Sequence, residues 1–274
     1  TSFRIGGPCE VMAFPRSVEE LSRLLRWAHG RQLQPAILGS GTNVLAADAG
    51  RRGLVICTRG CLDGLEQVDG VHIRVLAGVS MARAAVFAAN LGLSGLEFAH
   101  GIPGTVGGGI YMNAGAYGGE MSGICRRVTL MDGAGQLREV NARELEFSYR
   151  HSKLQESGEI VISAALQLQP AAPEEVKQKM RELQAKRLAS QPLDYPSAGS
   201  AFKRPAGGYA AALIDQAGLR GFQVGQAAIA RKHAGFAINL GGATAAEMRE
   251  LLTQVSDRVF RQTGIRLEPE IRIW

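Results

Sequence analysis

No run of about 18 apolar residues occurs in the chain, so the sequence offers no membrane-spanning helix. Neither sign of charge dominates. Lys plus Arg number 31 against 25 Asp plus Glu, a formal charge of +6. That excess suits an anionic small molecule and falls short of the basic density of a nucleic-acid binder, so no nucleic-acid partner is expected. Cysteine is scarce: Cys9, Cys57, Cys61 and Cys125, whose closest pair is separated by three residues, which excludes a CxxC redox or zinc motif. His29, His72, His100, His151 and His233 are scattered without metal-ligand spacing, and no protein-held metal is expected. No secretion signal is visible at the start, where Thr1 stands in place of a Met and leaves a preceding segment open. Free thiols without such a signal point to the reducing cytoplasm.

What is present is an ordinary globular composition, 46% hydrophobic and 20% charged over 274 residues, enough for two domains. Up to about residue 168, short strands alternate with two clear helices. Val11 to Phe14 reads as a strand stopped by Pro15. Ser17-Val-Glu-Glu20 reads as a capping box that opens a helix with Val18, Leu21, Leu24, Leu25 and Ala28 on one face. Pro35 to Leu38, Leu54 to Cys57, His72 to Leu76, Arg127 to Met131, Gln136 to Val140 and Ile160 to Leu168 read as strands, and Ser80 to Leu91 as an Ala-rich helix. Asp132-Gly133 is a hairpin turn signal. The composition shifts at Gln169-Pro-Ala-Ala-Pro173, which places a domain boundary there. Beyond it follow a charged helix from Glu174 to Ala189, a loop from Gln191 to Gly199 and a helix from Tyr209 to Ala217. Thr244-Ala-Ala-Glu247 opens a third helix that stops at Gly264, and the clean apolar/polar alternation of Ile265 to Trp274 reads as a strand. The predicted class is α+β, with domains 1–168 (subdomains 1–60 and 61–168) and 169–274.

Glycine is the abundant residue, 35 in all, and it clusters. Gly39-Ser-Gly-Thr-Asn43 follows a strand directly, and Gly101-Ile-Pro-Gly-Thr-Val-Gly-Gly-Gly109 is denser still. Without a Cβ, such segments bring backbone N–H groups close to a phosphate. Val44 breaks the dinucleotide fingerprint that Gly39-Ser-Gly41 would begin, and Ile110 stands where a P-loop needs Lys. Two glycine loops among short mixed strands suggest a dinucleotide cradle of another class.

Eight motifs then occur in order: Thr1-Ser-Phe-Arg-Ile-Gly-Gly7, Leu38-Gly-Ser-Gly-Thr-Asn-Val-Leu45, Gly101-Ile-Pro-Gly-Thr-Val-Gly-Gly108, Tyr111-Met-Asn-Ala-Gly-Ala-Tyr-Gly118, Tyr149-Arg-His-Ser152, Gly199-Ser-Ala-Phe-Lys-Arg-Pro205, Lys232-His-Ala-Gly235 and Leu267-Glu-Pro-Glu-Ile271. Together they resemble the UDP-N-acetylenolpyruvoylglucosamine reductases along essentially the whole chain. The resemblance implies an FAD-binding domain of the vanillyl-alcohol-oxidase type, built of two α+β subdomains, followed by a smaller α+β substrate-binding domain. It implies noncovalent FAD, NADPH as hydride donor, and UDP-N-acetylglucosamine enolpyruvate as substrate in peptidoglycan precursor synthesis. No membrane or obligate protein partner is implied. Only 48 residues separate His151 from Ser200, which looks like the compact subclass, without the inserted Tyr loop of some members. Gly109 adds a third consecutive glycine where the family pattern has two, and members usually run a little beyond Trp274.

The roles the resemblance implies fall on matching positions. Ser200 resembles the proton donor to the carbanion carbon. Arg150 and Glu270 resemble the pair that stabilises the enol-like carboxylate intermediate. Leu38, Gly39, Ser40, Gly41, Thr42, Asn43, Gly101, Pro103, Gly104, Thr105, Gly107 and Gly108 resemble the FAD cradle. Tyr149, Lys203, Lys232 and Asn239 are expected at the substrate, the two lysines near its diphosphate or the NADPH phosphate. Alternation alone does not separate Glu268 from Glu270, because both share one strand face. Two other functions compete: a related FAD-dependent oxidase of the same cofactor fold, with His100 and Cys9 as residue types for a covalent flavin, and a binding protein without turnover.

Overall fold

The computed structural model describes every residue from Thr1 to Trp274. The chain adopts the α+β class and divides into two units. One comprises residues 11–40 and 53–186; the other comprises 1–10, 41–52 and 187–274. The division differs from a cut near residue 168 in two ways. The helix Pro173–Ser190 gives its buried Val176 and Met180 to the core of the first unit. The segments 1–10 and 41–52 join the C-terminal half through bonds that no local pattern announces. Val44–Leu45 runs parallel to Arg272–Ile273, Ser2 donates its hydroxyl to the Ser197 carbonyl at 2.7 Å, and the Asn239 amide donates to the Phe3 carbonyl at 3.0 Å.

The first unit is built on a five-stranded antiparallel sheet in the order Leu137–Asn141, Cys125–Met131, Ile160–Gln167, His72–Leu76, Leu65–Gln67. Its middle strand is buried on both faces, and its apolar run reflects that. Helix Met81–Asn90 buries Met81, Ala84, Ala85, Ala88 and Ala89; small side chains let it lie close to its neighbours. Helix Val18–His29 buries Leu21, Leu25 and Ala28. Its capping box is only half formed. Ser17 accepts from the Glu20 amide at 3.2 Å, but the Glu20 carboxylate accepts from Arg16 N at 2.7 Å and not from the cap residue. The turn after Cys125–Met131 also departs from the Asp-Gly signal. Asp132 Oδ1 accepts from the amides of Ala134 and Gln136, and the positive φ falls on Gly135, at +76°. Five residues therefore turn the hairpin, not two.

The second unit carries a four-stranded antiparallel sheet in the order Ser197–Ser200, Phe236–Asn239, Ala227–Ile229, Gln223–Val224. Part of the expected 191–199 loop is thus strand. Helix Ala245–Thr263 buries Met248, Leu251, Leu252, Val255 and Val259 in this unit's core. Its capping box is complete, and Gly264 ends it at φ +72°. The alternation of 265–274 does not produce a full strand. Only Arg272–Ile273 pairs regularly; Leu267 and Ile271 are buried, while Pro269 and Ile273 are exposed. The apolar residues here meet two different neighbours, so the segment bends between them.

Candidate active site

Strand Ala36–Leu38 lies parallel to Arg51–Cys57 and delivers Gly39 and Ser40 at its end. A Cβ at Gly39 would lie 2.6 Å from Thr105 Oγ1, so glycine is required there because the second glycine segment comes against it. That second segment uses its glycines in two ways. Gly104 sits at φ +137°, a conformation open to glycine. Thr105 then caps the short helix Val106–Tyr111, its hydroxyl accepting from Gly108 N at 3.3 Å. The amides of Val106, Gly107 and Gly109 are spent on the carbonyls of Val79, Ala77 and Thr105. A Cβ at Gly107 would come within 2.9 Å of Ala77, and one at Gly109 within 2.8 Å of Met81 Sδ. Gly107 and the extra Gly109 therefore serve close packing of this helix, and in the first half Ile102 N is likewise spent, on the Ala99 carbonyl, while Pro103 has no N–H to give.

Just before this segment stands His100. Its Nδ1 is buried and has no hydrogen-bond partner in the chain. Leaving such an atom unpaired costs about 1–3 kcal/mol. The nearby Glu97 carboxylate, itself 3% exposed, accepts from Ser94 Oγ at 2.6 Å and Gly95 N at 2.8 Å. Burial works to raise its pKa, but the hydrogen bonds from Ser94 and the backbone outweigh it and hold the carboxyl below its usual value. Two glycine segments in contact and an orphaned polar atom beside them fit a bound dinucleotide such as FAD.

Arg150 lies in the same unit, in a turn closed by the Ser148–His151 bridge, at φ +56°. Its guanidinium donates to the Gly115 carbonyl at 2.8 Å and sits 4.9 Å from the centre of the Tyr149 ring. Asn113 holds this arrangement. It is fully buried at φ +42°; its amide donates to Ser148 O at 3.0 Å and accepts from Ser122 N at 2.9 Å. Ser152 and Gln155 add bonds to the Tyr111 carbonyl. The Tyr111–Gly118 motif names Asn113, but nothing in the sequence pairs it with a turn 35 residues on.

In the other unit, Ser200 ends its strand, exposed, just after Gly199 at φ +79°. The Glu270 amide donates to the Ala201 carbonyl at 3.0 Å, and the Phe202–Pro269 bridge continues this pairing. The stretch carrying Glu270 is thus brought against the stretch carrying Ser200, 70 positions earlier. The two glutamates are also separated. Glu268 is 68% exposed and ion-paired with Lys203 at 2.5 Å, whereas Glu270 is half-buried beside Ala201. Asn43 joins this group, donating to the Glu270 carbonyl at 3.1 Å. Lys232 is exposed and donates to the Leu188 carbonyl at 2.6 Å. Asn239 is different: it is 3% exposed, and its amide is spent on Phe3 O and on the amides of Gly241 and Ala243. These bonds tie it to the fold.

Two family models match the chain, and the first takes in 41–52, which the fold gives to the other unit. The FAD binding domain family matches residues 9–141, and the C-terminal domain of UDP-N-acetylenolpyruvoylglucosamine reductase matches residues 191–274. The UDP-N-acetylenolpyruvoylglucosamine reductase of Agathobacter rectalis is 45% identical, over 100% of this chain and 90% of its own length. The chain belongs to the UDP-N-acetylenolpyruvoylglucosamine reductase family. Another member, reductase 2 of Symbiobacterium thermophilum, is also 45% identical, over 100% of this chain and 89% of its own. The crystal structure of the family enzyme from Thermus caldophilus superposes with a TM-score of 0.85 at 36% identity, covering 100% of this chain and 95% of that one.

Proposed function

We propose that this chain reduces the enolpyruvyl ether of UDP-N-acetylglucosamine enolpyruvate to UDP-N-acetylmuramate, a step in peptidoglycan precursor synthesis. Family membership over the full chain supports the reaction, and the backbone bond from Glu270 to Ala201, the residue after Ser200, supports the assignment of its residues. Bound FAD supplies the hydride, taken from NADPH. The protein's own work is to stabilise charge and to move one proton. Arg150 offers a planar fork that matches a carboxylate, and its bond to Gly115 and the Tyr149 ring fix the plane of that fork. Glu270 acts with Arg150 on the enol-like carboxylate. The Ser200 hydroxyl gives its proton to the carbanion carbon.

Lys203 and Lys232 bind the diphosphate of the substrate, and Tyr149 contacts it. Leu38 to Asn43 and Gly101 to Thr105 would hold the cofactor. The anionic nucleotide substrate, NADPH, the four free cysteines and the lack of any helix long and apolar enough to cross a membrane support action in the cytoplasm. The test is direct. The purified chain carries about one FAD and oxidises NADPH only when the enolpyruvyl substrate is added. A colourless protein that takes up no FAD, or NADPH oxidation that ignores the substrate, overturns the reading.

A further inference from the structure

Two buried side-chain atoms in the whole chain lack a hydrogen-bond partner, and His100 Nδ1 is one of them. Buried polar atoms are almost always paired, so an orphan calls for a missing partner. Three features of its surroundings say what kind. His100 closes the turn Glu97–Ala99 and is followed at once by Gly101, the start of the second glycine segment. That turn packs against the short hairpin Gly115–Ala116 and Gly119–Glu120, with Phe98 filling the space in front of Gly119. The one acid in the turn, Glu97, is turned to Ser94 and Gly95, and the Lys179 ammonium lies 3.8 Å from it. The chain itself therefore offers Nδ1 no partner from this turn, which leads directly into the second glycine segment.

We infer that His100 is a cofactor-binding residue, whose Nδ1 hydrogen-bonds a polar atom of bound FAD. The inference rests on the proposed flavin chemistry. It also explains why an unpaired ring nitrogen is kept: the penalty exists only while the site lacks its ligand.

Three variants of the full chain separate this role from a structural one. His100→Leu removes the polar atom and keeps an apolar side chain of nearby size. His100→Asn puts an amide close to where Nδ1 stands, and His100→Gln puts it one bond further out. Flavin is stripped from each protein and FAD is titrated back by fluorescence quenching, with thermal melts before and after. His100→Leu is expected to weaken FAD binding by about tenfold, while its flavin-free form melts no lower than the parent's, since an apolar replacement lifts the cost of the orphan. His100→Asn is expected to bind FAD within about threefold of the parent, and His100→Gln to stay weak. FAD affinity unchanged in His100→Leu means that water or nothing fills the place, and overturns the inference. So does an equal loss of melting temperature with and without FAD, which marks a structural residue, or an Asn variant as weak as Leu. If the parent chain itself binds no FAD, the functional reading falls first and takes this inference with it.

Discussion

A serine hydroxyl is a weak acid, and Ser200 stands exposed at the end of its strand. Its proposed role therefore depends on where the hydroxyl is held, and Gly199 at φ +79° and the Ala201–Glu270 bond hold it. Ser200→Ala should leave anaerobic bleaching of the flavin by NADPH nearly unchanged, because that half-reaction takes no proton from this residue. Reoxidation by the enolpyruvyl substrate should slow by at least about 10²–10⁴-fold, the usual contribution of a positioned acid, and Ser200→Cys should recover part of it. Stopped-flow flavin absorbance in each half-reaction reads both; equal slowing of the two would make Ser200 a positioning residue for flavin or nicotinamide. The glutamate pair gives a second expectation. Glu270→Gln should lower turnover by orders of magnitude, and Glu268→Gln, which loses an exposed pair with Lys203, should change it by less than about threefold. Steady-state kcat for the two variants decides between them, and equal losses would show that the wrong glutamate has been chosen.

At the scale of elements, the helix Ala245–Thr263 is capped twice. Its own box joins Thr244 and Glu247, and Asp48 reaches from the 41–52 segment to the amides of Ala245 at 2.6 Å and Ala246 at 2.9 Å. A carboxylate at a helix N-terminus satisfies orphan donors and meets the positive end of the dipole. Asp48→Ala should lower stability by about 1 kcal/mol with little effect on FAD content, as read by urea unfolding and the visible spectrum. Unchanged stability would mean that Thr244 and Glu247 suffice. The capping box at Thr244 was legible in the sequence; Asp48 was not, since its partner lies 197 positions away. The same limit explains Gly109. A third glycine in a row reads as more phosphate cradle, yet its lack of a Cβ makes room for the sulfur of Met81.

At the scale of the whole molecule, two linked equilibria should be measurable. FAD binds the folded chain and not the unfolded one, so free FAD at about 100 times its Kd should add roughly 2.7 kcal/mol, with the melting temperature rising as FAD is added. A melting temperature indifferent to FAD would contradict cofactor binding. The second is protons. Burial pushes the His233 pKa below its ordinary 6.5, and the neutral ring accepts from Gly235 N at 3.1 Å. The unfolded chain therefore binds this proton more readily. The contribution is whole above about pH 6.5 and is lost as pH falls from there through the depressed folded value. Since the ring is only partly buried, solvent screening keeps the loss small. Urea midpoints for the parent and His233→Gln should converge as pH drops from about 7.5 to about 5; a constant gap would remove His233 from the pH response.

What the sequence determined by itself was everything carried by local periodicity, capping and ordered motifs. The helices beginning after Ser17, Ser80 and Thr244, the strands around Cys57, His72, Met131 and Ile160, the α+β class and the family were all readable there, because each depends on residues close together in the chain or on their order. Tertiary structure alone decided which segments share a unit, that Asn113 supports Arg150, that Asn239 is spent on backbone, and that Glu268 and Glu270 differ though one alternation covers both. It also decided that Ile265 to Trp274 forms regular strand only at its end. These outcomes turn on hydrogen bonds and contacts between residues 35 to 236 positions apart. Such pairings are fixed by the satisfaction of buried backbone and amide groups in the folded chain, a requirement that leaves no periodic trace along the sequence.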